Sequence, residues 1–169
     1  VQRLLNSYSL QSPFQIIYVS TVDVHKHQWH VAGAVAMLRR EGLPLALNLV
    51  GPAYTPALKR LKASLMNLDP DGDFITYRGA VPHEQLNAHY AAADLCVFAS
   101  SCENMPNILL EGMASGLPLV CSNRGTMPEI LGDGGLYFDS EQPEDIATAI
   151  RKLMVSPELR TEKSSTAFA

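Results

Sequence analysis

The sequence is poor in several features that would point to a particular class of protein. Its 169 residues include only three cysteines, Cys96, Cys102 and Cys121, without metal-site spacing, which favours a reducing compartment over a disulfide framework. The formal charge of −4 gives no indication that the protein binds nucleic acid or an anionic membrane surface. No apolar run could cross a bilayer, and no signal peptide is visible. We therefore expect a cytoplasmic location, with peripheral attachment of a full-length protein to a membrane left open.

What the sequence does contain is a regular alternation of apolar runs and amphipathic stretches. Hydrophobic residues make up 47% of the chain, which is enough for the core of one domain. Because the chain begins at Val1 and is polar at first, we interpret it as an excised or processed piece. We predict a tail or linker remnant over 1–13 and one folded domain over 14–169.

The alternation predicts the secondary structure in detail. Strands are predicted over 14–20, 45–51, 74–79, 94–100, 118–122 and 135–139. Helices are predicted over 28–42, 55–68, 83–93, 106–115, 143–154 and 157–165. A capping box of Thr126 and Glu129 predicts a further short helix, and 132–135 is interpreted as a turn.

Strand–helix alternation with apolar strands predicts an α/β fold, a Rossmann-like parallel sheet of about six strands with helices on both faces. Ligands of such sheets bind beyond the carboxyl ends of the strands. The usual phosphate-binding and hydrolase motifs are missing, namely the P-loop, the Gly-x-Gly-x-x-Gly fingerprint and the Gly-x-Ser-x-Gly elbow. A metal site at His25, His27 and His30 is not expected, because no carboxylate or cysteine completes the set.

The segment 100–111 carries the strongest chemical signal. Pro106 suits the first turn of a helix, and Asn104 is a candidate cap just before it. A helix N-terminus that points at the crevice of the sheet attracts anions. Lys26, in the loop after the first strand, would reach the same crevice. Together these features predict a site for a phosphate or diphosphate.

Two glutamates flank this predicted anion site. Glu103 precedes the helix and Glu111 lies within it, and eight helical residues rise about 12 Å, too far for a glycosidase pair. Carboxylates repel phosphate but accept hydrogen bonds from hydroxyl groups. A ligand with hydroxyls at both ends and a diphosphate between them is a nucleotide sugar. We therefore place its sugar at Glu103, its phosphates at Lys26 and its ribose at Glu111.

The stretch "ASSCENMPNILLEGMASGLPLVCS" resembles the signature of the C-terminal domain of family 4 retaining GT-B glycosyltransferases, with its Glu-x7-Glu pair at Glu103 and Glu111. The stretches "YVSTVDVHKHQ", "LALNLVGP", "YRGAVPHEQLNAHYAAADLCVFAS" and "GTMPEILGDGGLYFDSEQPEDIATAI" resemble other elements of that family in the same order. The likeness covers about residues 14–155 and implies that 14–169 is a domain that binds a UDP-, GDP- or ADP-sugar donor.

The resemblance also implies roles for individual residues. Glu103 would hold the donor sugar, Lys26 would neutralise the diphosphate and Glu111 would hold the ribose. No metal is expected, because cationic side chains and amides stabilise the leaving diphosphate in this family. The resemblance further implies that the base lies against Gly79, Val81 and Leu86. It also implies that the backbone of four residues lines the sugar and phosphate pocket: Asn104, Met105, Pro106 and Asn107.

Two departures and two alternatives accompany the resemblance. Many members carry an Arg shortly before the Lys, whereas this chain reads Val19-Ser20-Thr21. The family's N-terminal domain, which holds the acceptor, has no counterpart before residue 14, so the chain alone is expected to bind donor with weak or no activity. The alternatives are a nucleotide-sugar epimerase or hydrolase of the same fold, and a non-catalytic nucleotide-binding module.

Overall fold

The fold is a single parallel sheet of six strands. The computed structural model describes residues 8–169, so residues 1–7 of the predicted tail lie outside the described part. The strands are β1 (Phe14–Val19), β2 (Leu45–Val50), β3 (Ile75–Tyr77), β4 (Leu95–Phe98), β5 (Leu119–Ser122) and β6 (Gly135–Phe138). Their order across the sheet is β3-β2-β1-β4-β5-β6, and every pair is parallel. This confirms the predicted Rossmann-like sheet.

In the described part of the chain, seven α-helices connect or flank the strands. They are α1 (Gln28–Arg40), α2 (Thr55–Leu68), α3 (His83–Ala91), α4 (Asn107–Ala114), α5 (Met127–Leu131), α6 (Pro143–Val155) and α7 (Pro157–Phe168). Because parallel strands are joined by right-handed crossovers, α1 and α2 cover one face and α3, α4 and α5 cover the other. Helix α6 packs beside α1 on the first face.

The central strands are apolar on both sides because both faces of the sheet are covered. All four residues of β4 and of β5 are buried, as are all residues of β1 except Gln15. Tyr8, which falls within the predicted tail, is also buried, and its ring meets Phe14 edge-on with centroids 5.0 Å apart. The packed core therefore includes a residue before 14, while the functional division at residue 14 stays a prediction.

Two of the predicted helix caps are wrong. Thr126 precedes α5, but its side chain makes no capping hydrogen bond, and its buried hydroxyl has no partner among the described residues. Thr126 has helical backbone angles (φ −83°, ψ −7°), whereas a capping residue needs the extended conformation that turns its side chain toward the helix amides. Asn104 does not cap α4 either, because the residue before the first helical position is Pro106.

Within residues 8–169, none of the helices combines the length and the apolar character needed to span a bilayer.

Candidate functional site

The site lies where the strand order of the sheet reverses, between β1 and β4. Lys26 ends a short 3-10 helix, Val24–Lys26, that follows β1, and Glu103 lies in the loop that follows β4. Because β1 and β4 are adjacent and parallel, both loops leave the same edge of the sheet. The Lys26 ammonium group and the Glu103 carboxylate form an ion pair there. In parallel sheets this switch point is where ligands bind.

The ion pair is largely shielded from water. The Lys26 side chain is 12% exposed and the Glu103 side chain 16% exposed. The Lys26 ammonium nitrogen also lies 5.8 Å from the centre of the Phe98 ring, at the end of β4. In such surroundings each charge depends on its partner, because removal of one leaves the other poorly solvated. An anionic ligand at this place can replace Glu103 as the partner of Lys26.

Hydrogen bonds hold the Lys26 segment against the neighbouring strands. The hydroxyl of Tyr18 donates to the Lys26 carbonyl oxygen at 2.8 Å. The backbone N–H of Ser101 donates to the His25 carbonyl oxygen at 2.9 Å. Burial raises the pKa of Tyr18 far above its ordinary value, so this phenol remains a hydrogen-bond donor at any physiological pH.

A pocket of about 230 Å³ opens beside Lys26. Val81 and Leu86 line it, as does Ile108 from the first turn of α4. The structure therefore brings Val81 and Leu86 together with Lys26. Gly79, by contrast, does not line the pocket. Its carbonyl oxygen accepts a hydrogen bond from the N–H of Gly51 at 2.8 Å, which links the loop after β3 to the loop after β2.

Gly51 allows the loops of this pocket to approach one another. It lines the pocket, and its φ angle of +142° is one that side chains rarely permit. A Cβ atom at this position would lie 2.2 Å from the carbonyl oxygen of Ser20. Only glycine therefore fits where the ends of β1 and β2 meet.

Glu111 lines a second groove, of about 250 Å³, between α3 and α4. This groove shares Leu86 with the Lys26 pocket. Glu111 also follows Ile108 by three residues, and residues three apart lie on the same face of a helix. Glu111 is therefore on the same side of the molecule as Lys26 and Glu103, and the two cavities adjoin.

The turn before α4 supplies fewer amides than the sequence suggests. Pro106 has no N–H, and the N–H of Asn107 donates to the Met105 carbonyl oxygen at 2.9 Å. The amides of Asn104 and Met105 remain as candidate donors from this segment. Asn104, Met105 and Asn107 are exposed, whereas Pro106 is buried.

Other charged groups and cavities fit the site less well. Arg124 is paired with Asp139 at 2.9 Å and with Glu141 at 3.8 Å. A pocket of about 260 Å³ over β1 and β2 includes none of the predicted site residues. Among residues 8–169, no group of three or more histidine, cysteine, aspartate or glutamate side chains is arranged to hold a metal ion.

Sequence reasoning missed Tyr18, Ser101 and Ile108. Tyr18 was expected only as a strand residue, and its hydroxyl reaches Lys26 because β1 ends directly beneath the Lys26 segment. Ser101 lies just after β4 and Ile108 at the start of α4. Both fall within the segment 100–111 in which a site was expected, but neither was predicted to take part in it. None of the three carries a charge or a motif that marks it in the sequence.

Comparison with known proteins agrees with this architecture. The sequence model of the family described as glycosyl transferases group 1 matches residues 13–156. The chain is 30% identical over 147 residues to the O-antigen chain mannosyltransferase B of Escherichia coli, covering 87% of this chain and 38% of that protein. It is 29% identical over 167 residues to a GDP-mannose-dependent alpha-(1-6)-phosphatidylinositol monomannoside mannosyltransferase of Mycolicibacterium smegmatis, covering 92% and 42%.

A solved structure shows the same fold. The crystal structure of Anabaena Alr3699/HepE in complex with UDP and glucose superposes with a TM-score of 0.84 and 19% identity, covering 99% of this chain and 49% of that one. The chain thus has the fold of one half of a GT-B glycosyltransferase, and it belongs to the glycosyl transferases group 1 family. It spans about two fifths of the length of the curated relatives named above.

Proposed function

We propose that this chain is the donor-binding part of a retaining glycosyltransferase, which moves a sugar from a nucleoside diphosphate sugar to a hydroxyl of an acceptor. The observation that carries the proposal is the Lys26–Glu103 ion pair at the switch point of the sheet. It places a cation and a hydroxyl-accepting carboxylate next to each other beside an open pocket. A diphosphate attached to a sugar needs this pair of groups.

Donor binding is proposed to proceed by an exchange of partners. The diphosphate oxygens replace Glu103 as the ion-pair partner of the Lys26 ammonium group, because a doubly charged diphosphate attracts a cation more strongly than one carboxylate does. Glu103, released from Lys26, then accepts hydrogen bonds from hydroxyls of the sugar. The exchange keeps both charges paired within a partly shielded site.

The rest of the donor is proposed to lie along the two adjoining cavities. Glu111 accepts from the ribose hydroxyls, and Val81 and Leu86 contact the base. Two relatives are named mannosyltransferases, and one of them is named for its dependence on GDP-mannose. GDP-mannose is therefore the first donor to test.

Lys26 and the amides of Asn104 and Met105, together with the N-terminal end of α4, are proposed to stabilise the negative charge of the leaving diphosphate. These groups supply positive charge and donors without a metal ion. We therefore expect that donor binding is the same with and without a chelator such as EDTA.

The acceptor site is proposed to lie in an N-terminal domain of the full-length protein, since the relatives are more than twice as long as this chain. This chain by itself then binds donor and transfers sugar weakly or not at all.

Isothermal titration calorimetry of this chain with GDP-mannose, GDP, UDP-glucose, UDP and ADP-glucose tests the proposal, with guanosine and uridine as controls. We expect at least one nucleoside diphosphate to bind more tightly than its nucleoside, because the diphosphate engages Lys26. Absence of binding by every nucleotide, with the melting transition intact, would refute it. A product with altered stereochemistry and no acceptor would instead indicate an epimerase.

A further inference from the structure

The residue next to Lys26 has an unusual backbone conformation. Among residues 8–169, His27 is the one residue other than glycine whose φ angle is positive, at +54°. Such a conformation is uncommon for residues with a side chain and persists only where the surroundings hold it. The imidazole ring is buried, with 6% of His27 exposed. Local contacts therefore fix both the backbone and the ring of this residue.

Hydrogen bonds from His25 and from the His27 side chain lead to Ser101. The Nε2 atom of His27 lies 2.8 Å from the Ser101 hydroxyl oxygen. That hydroxyl donates to the carbonyl oxygen of His25 at 3.3 Å, and the Ser101 N–H donates to the same carbonyl at 2.9 Å. The residues on both sides of Lys26 are thus attached to Ser101, which lies two residues before Glu103. We call this arrangement of His25, His27 and Ser101 the Ser101 clamp.

The His27 ring is bonded to Ser101 through its Nε2 atom. A neutral ring either donates an Nε2–H to the Ser101 hydroxyl oxygen or accepts the hydroxyl proton at Nε2. The Nδ1 atom is buried without a partner among the described residues. A protonated ring carries an N–H at both nitrogens, and its Nδ1 proton would have no acceptor among those residues.

We propose that His27 is a positioning residue that holds Lys26 opposite Glu103 through Ser101, and that only its neutral imidazole does so. The expected contribution of His27 to phosphate binding rests on the proposed function. The expected effect of His27 on the position of Lys26 does not. The clamp joins the loops after β1 and β4, so its loss lets the two partners of the ion pair move independently.

The surroundings of His27 favour the neutral ring. Burial lowers the pKa of His27 below its ordinary value, and the neighbouring His30, His25 and Arg60 lower it further. His30 stacks on the His27 ring at 5.4 Å between centroids. Glu141 acts in the opposite direction, as does the carboxylate of Asp139, which also interacts with His27. Because the folded protein prefers neutral His27, the clamp is fully present above the ordinary histidine pKa and is lost as the pH falls through the lowered pKa of the folded protein.

Chemical reactivity of Lys26 tests the clamp without a ligand. The protein is acylated with a trace of acetic anhydride, and mass spectrometry gives the labelling of Lys26 relative to the exposed Lys59. Two substitutions separate the roles of His27: Asn tolerates a positive φ but is too short to reach Ser101, whereas Gln carries an amide donor at the reach of Nε2. We expect H27N and S101A to raise the ratio about two- to tenfold, the effect of one hydrogen bond, and H27Q to restore it.

An unchanged ratio in folded H27N and S101A would overturn the proposal. If neither variant folds, the wild-type protein decides, since its labelling ratio is expected to rise as the pH falls below the ordinary histidine pKa and His27 takes up a proton. A ratio that stays constant down to the pH at which the protein unfolds would overturn the proposal equally well.

Nucleotide affinity provides the second measurement. Calorimetry with GDP and UDP is performed across the same pH range for the wild-type protein and H27Q. The phosphate groups and every neighbouring side chain titrate in both proteins, so the quotient of the two affinities isolates His27. We expect the wild-type affinity to fall about two- to tenfold relative to H27Q as the pH decreases. A constant quotient contradicts the Ser101 clamp. Absence of nucleotide binding contradicts the proposed function, and the labelling of Lys26 then decides whether the clamp exists.

Discussion

Lys26 and Glu103, 77 positions apart in the chain, form an ion pair at the point where the strand order of the sheet reverses. Each residue was predicted to contact a different part of a donor, the diphosphate and the sugar. Their direct contact shows how a partly buried lysine keeps its charge stabilised, and the diphosphate proposed to bind at Lys26 would have to compete with Glu103.

Removal of the Glu103 charge is expected to separate the binding of phosphate from the binding of sugar. In E103Q, Lys26 has no anionic competitor, so GDP or UDP alone binds as tightly as in the wild-type protein or more tightly. The advantage of a sugar-bearing donor over the bare nucleotide decreases, because the amide is a weaker acceptor for sugar hydroxyls. Calorimetry with nucleotide and nucleotide sugar in parallel measures both effects. The exposed Glu129, substituted E129Q, is the matched control; a weaker affinity of E103Q for bare nucleotide would contradict the exchange of partners.

Glu111 is expected to contribute to the binding of the ribose. The substitution E111A should weaken nucleotide binding by about 1–3 kcal/mol, because hydrogen-bonding groups of the ligand lose their partner. A 2′-deoxy nucleotide should lose part of its affinity for the wild-type protein but little more for E111A. The variant E162A, which changes an exposed glutamate on α7, controls for charge. Equal losses from 2′-deoxygenation in both proteins would show that Glu111 does not hold the ribose.

Gly51 is expected to tolerate no side chain. In G51A, the new Cβ atom would collide with the Ser20 carbonyl oxygen at 2.2 Å while φ remains at +142°. We expect a loss of about 1–3 kcal/mol in the free energy of unfolding, measured by urea denaturation. The control is G33A in α1, where a Cβ would meet Pro143 at an ordinary 3.7 Å and helix propensity favours alanine. Equal stability of G51A and the wild-type protein would contradict the close approach of the loops after β1 and β2.

The three cysteines are expected to differ in reactivity. Burial raises the pKa of Cys96 to about 12 and that of Cys121 further, whereas Cys102 is exposed beside Glu103. With Ellman's reagent at about pH 8, one thiol should react in the folded protein and all should react after denaturation. A saturating nucleotide sugar should slow the single fast reaction, because the donor covers the segment before α4. Rapid reaction of all thiols in the folded protein would contradict the packing of β4 and β5.

The family and the parallel sheet could be predicted from the sequence because both depend on local patterns. Apolar runs of five to seven residues separated by amphipathic stretches define a parallel sheet. The pair Glu103 and Glu111, with its flanking motif, indicated the family that the comparisons confirm. The wrong predictions concern caps. Thr126 and Asn104 are typical capping residues, but neither the backbone angles of Thr126 nor the first residue of α4 can be inferred from residue type.

The sequence by itself determined the parallel sheet, the family and the edge of the sheet where the charged residues gather, because these follow from the period of apolar residues and from a contiguous motif. Only the tertiary structure decided that Lys26 pairs with Glu103, that the Glu111 groove adjoins the Lys26 pocket, and that Ser101 clamps the residues around Lys26. Each of these relationships joins segments that follow different strands, and their geometry depends on how the packed sheet places the ends of those strands relative to one another.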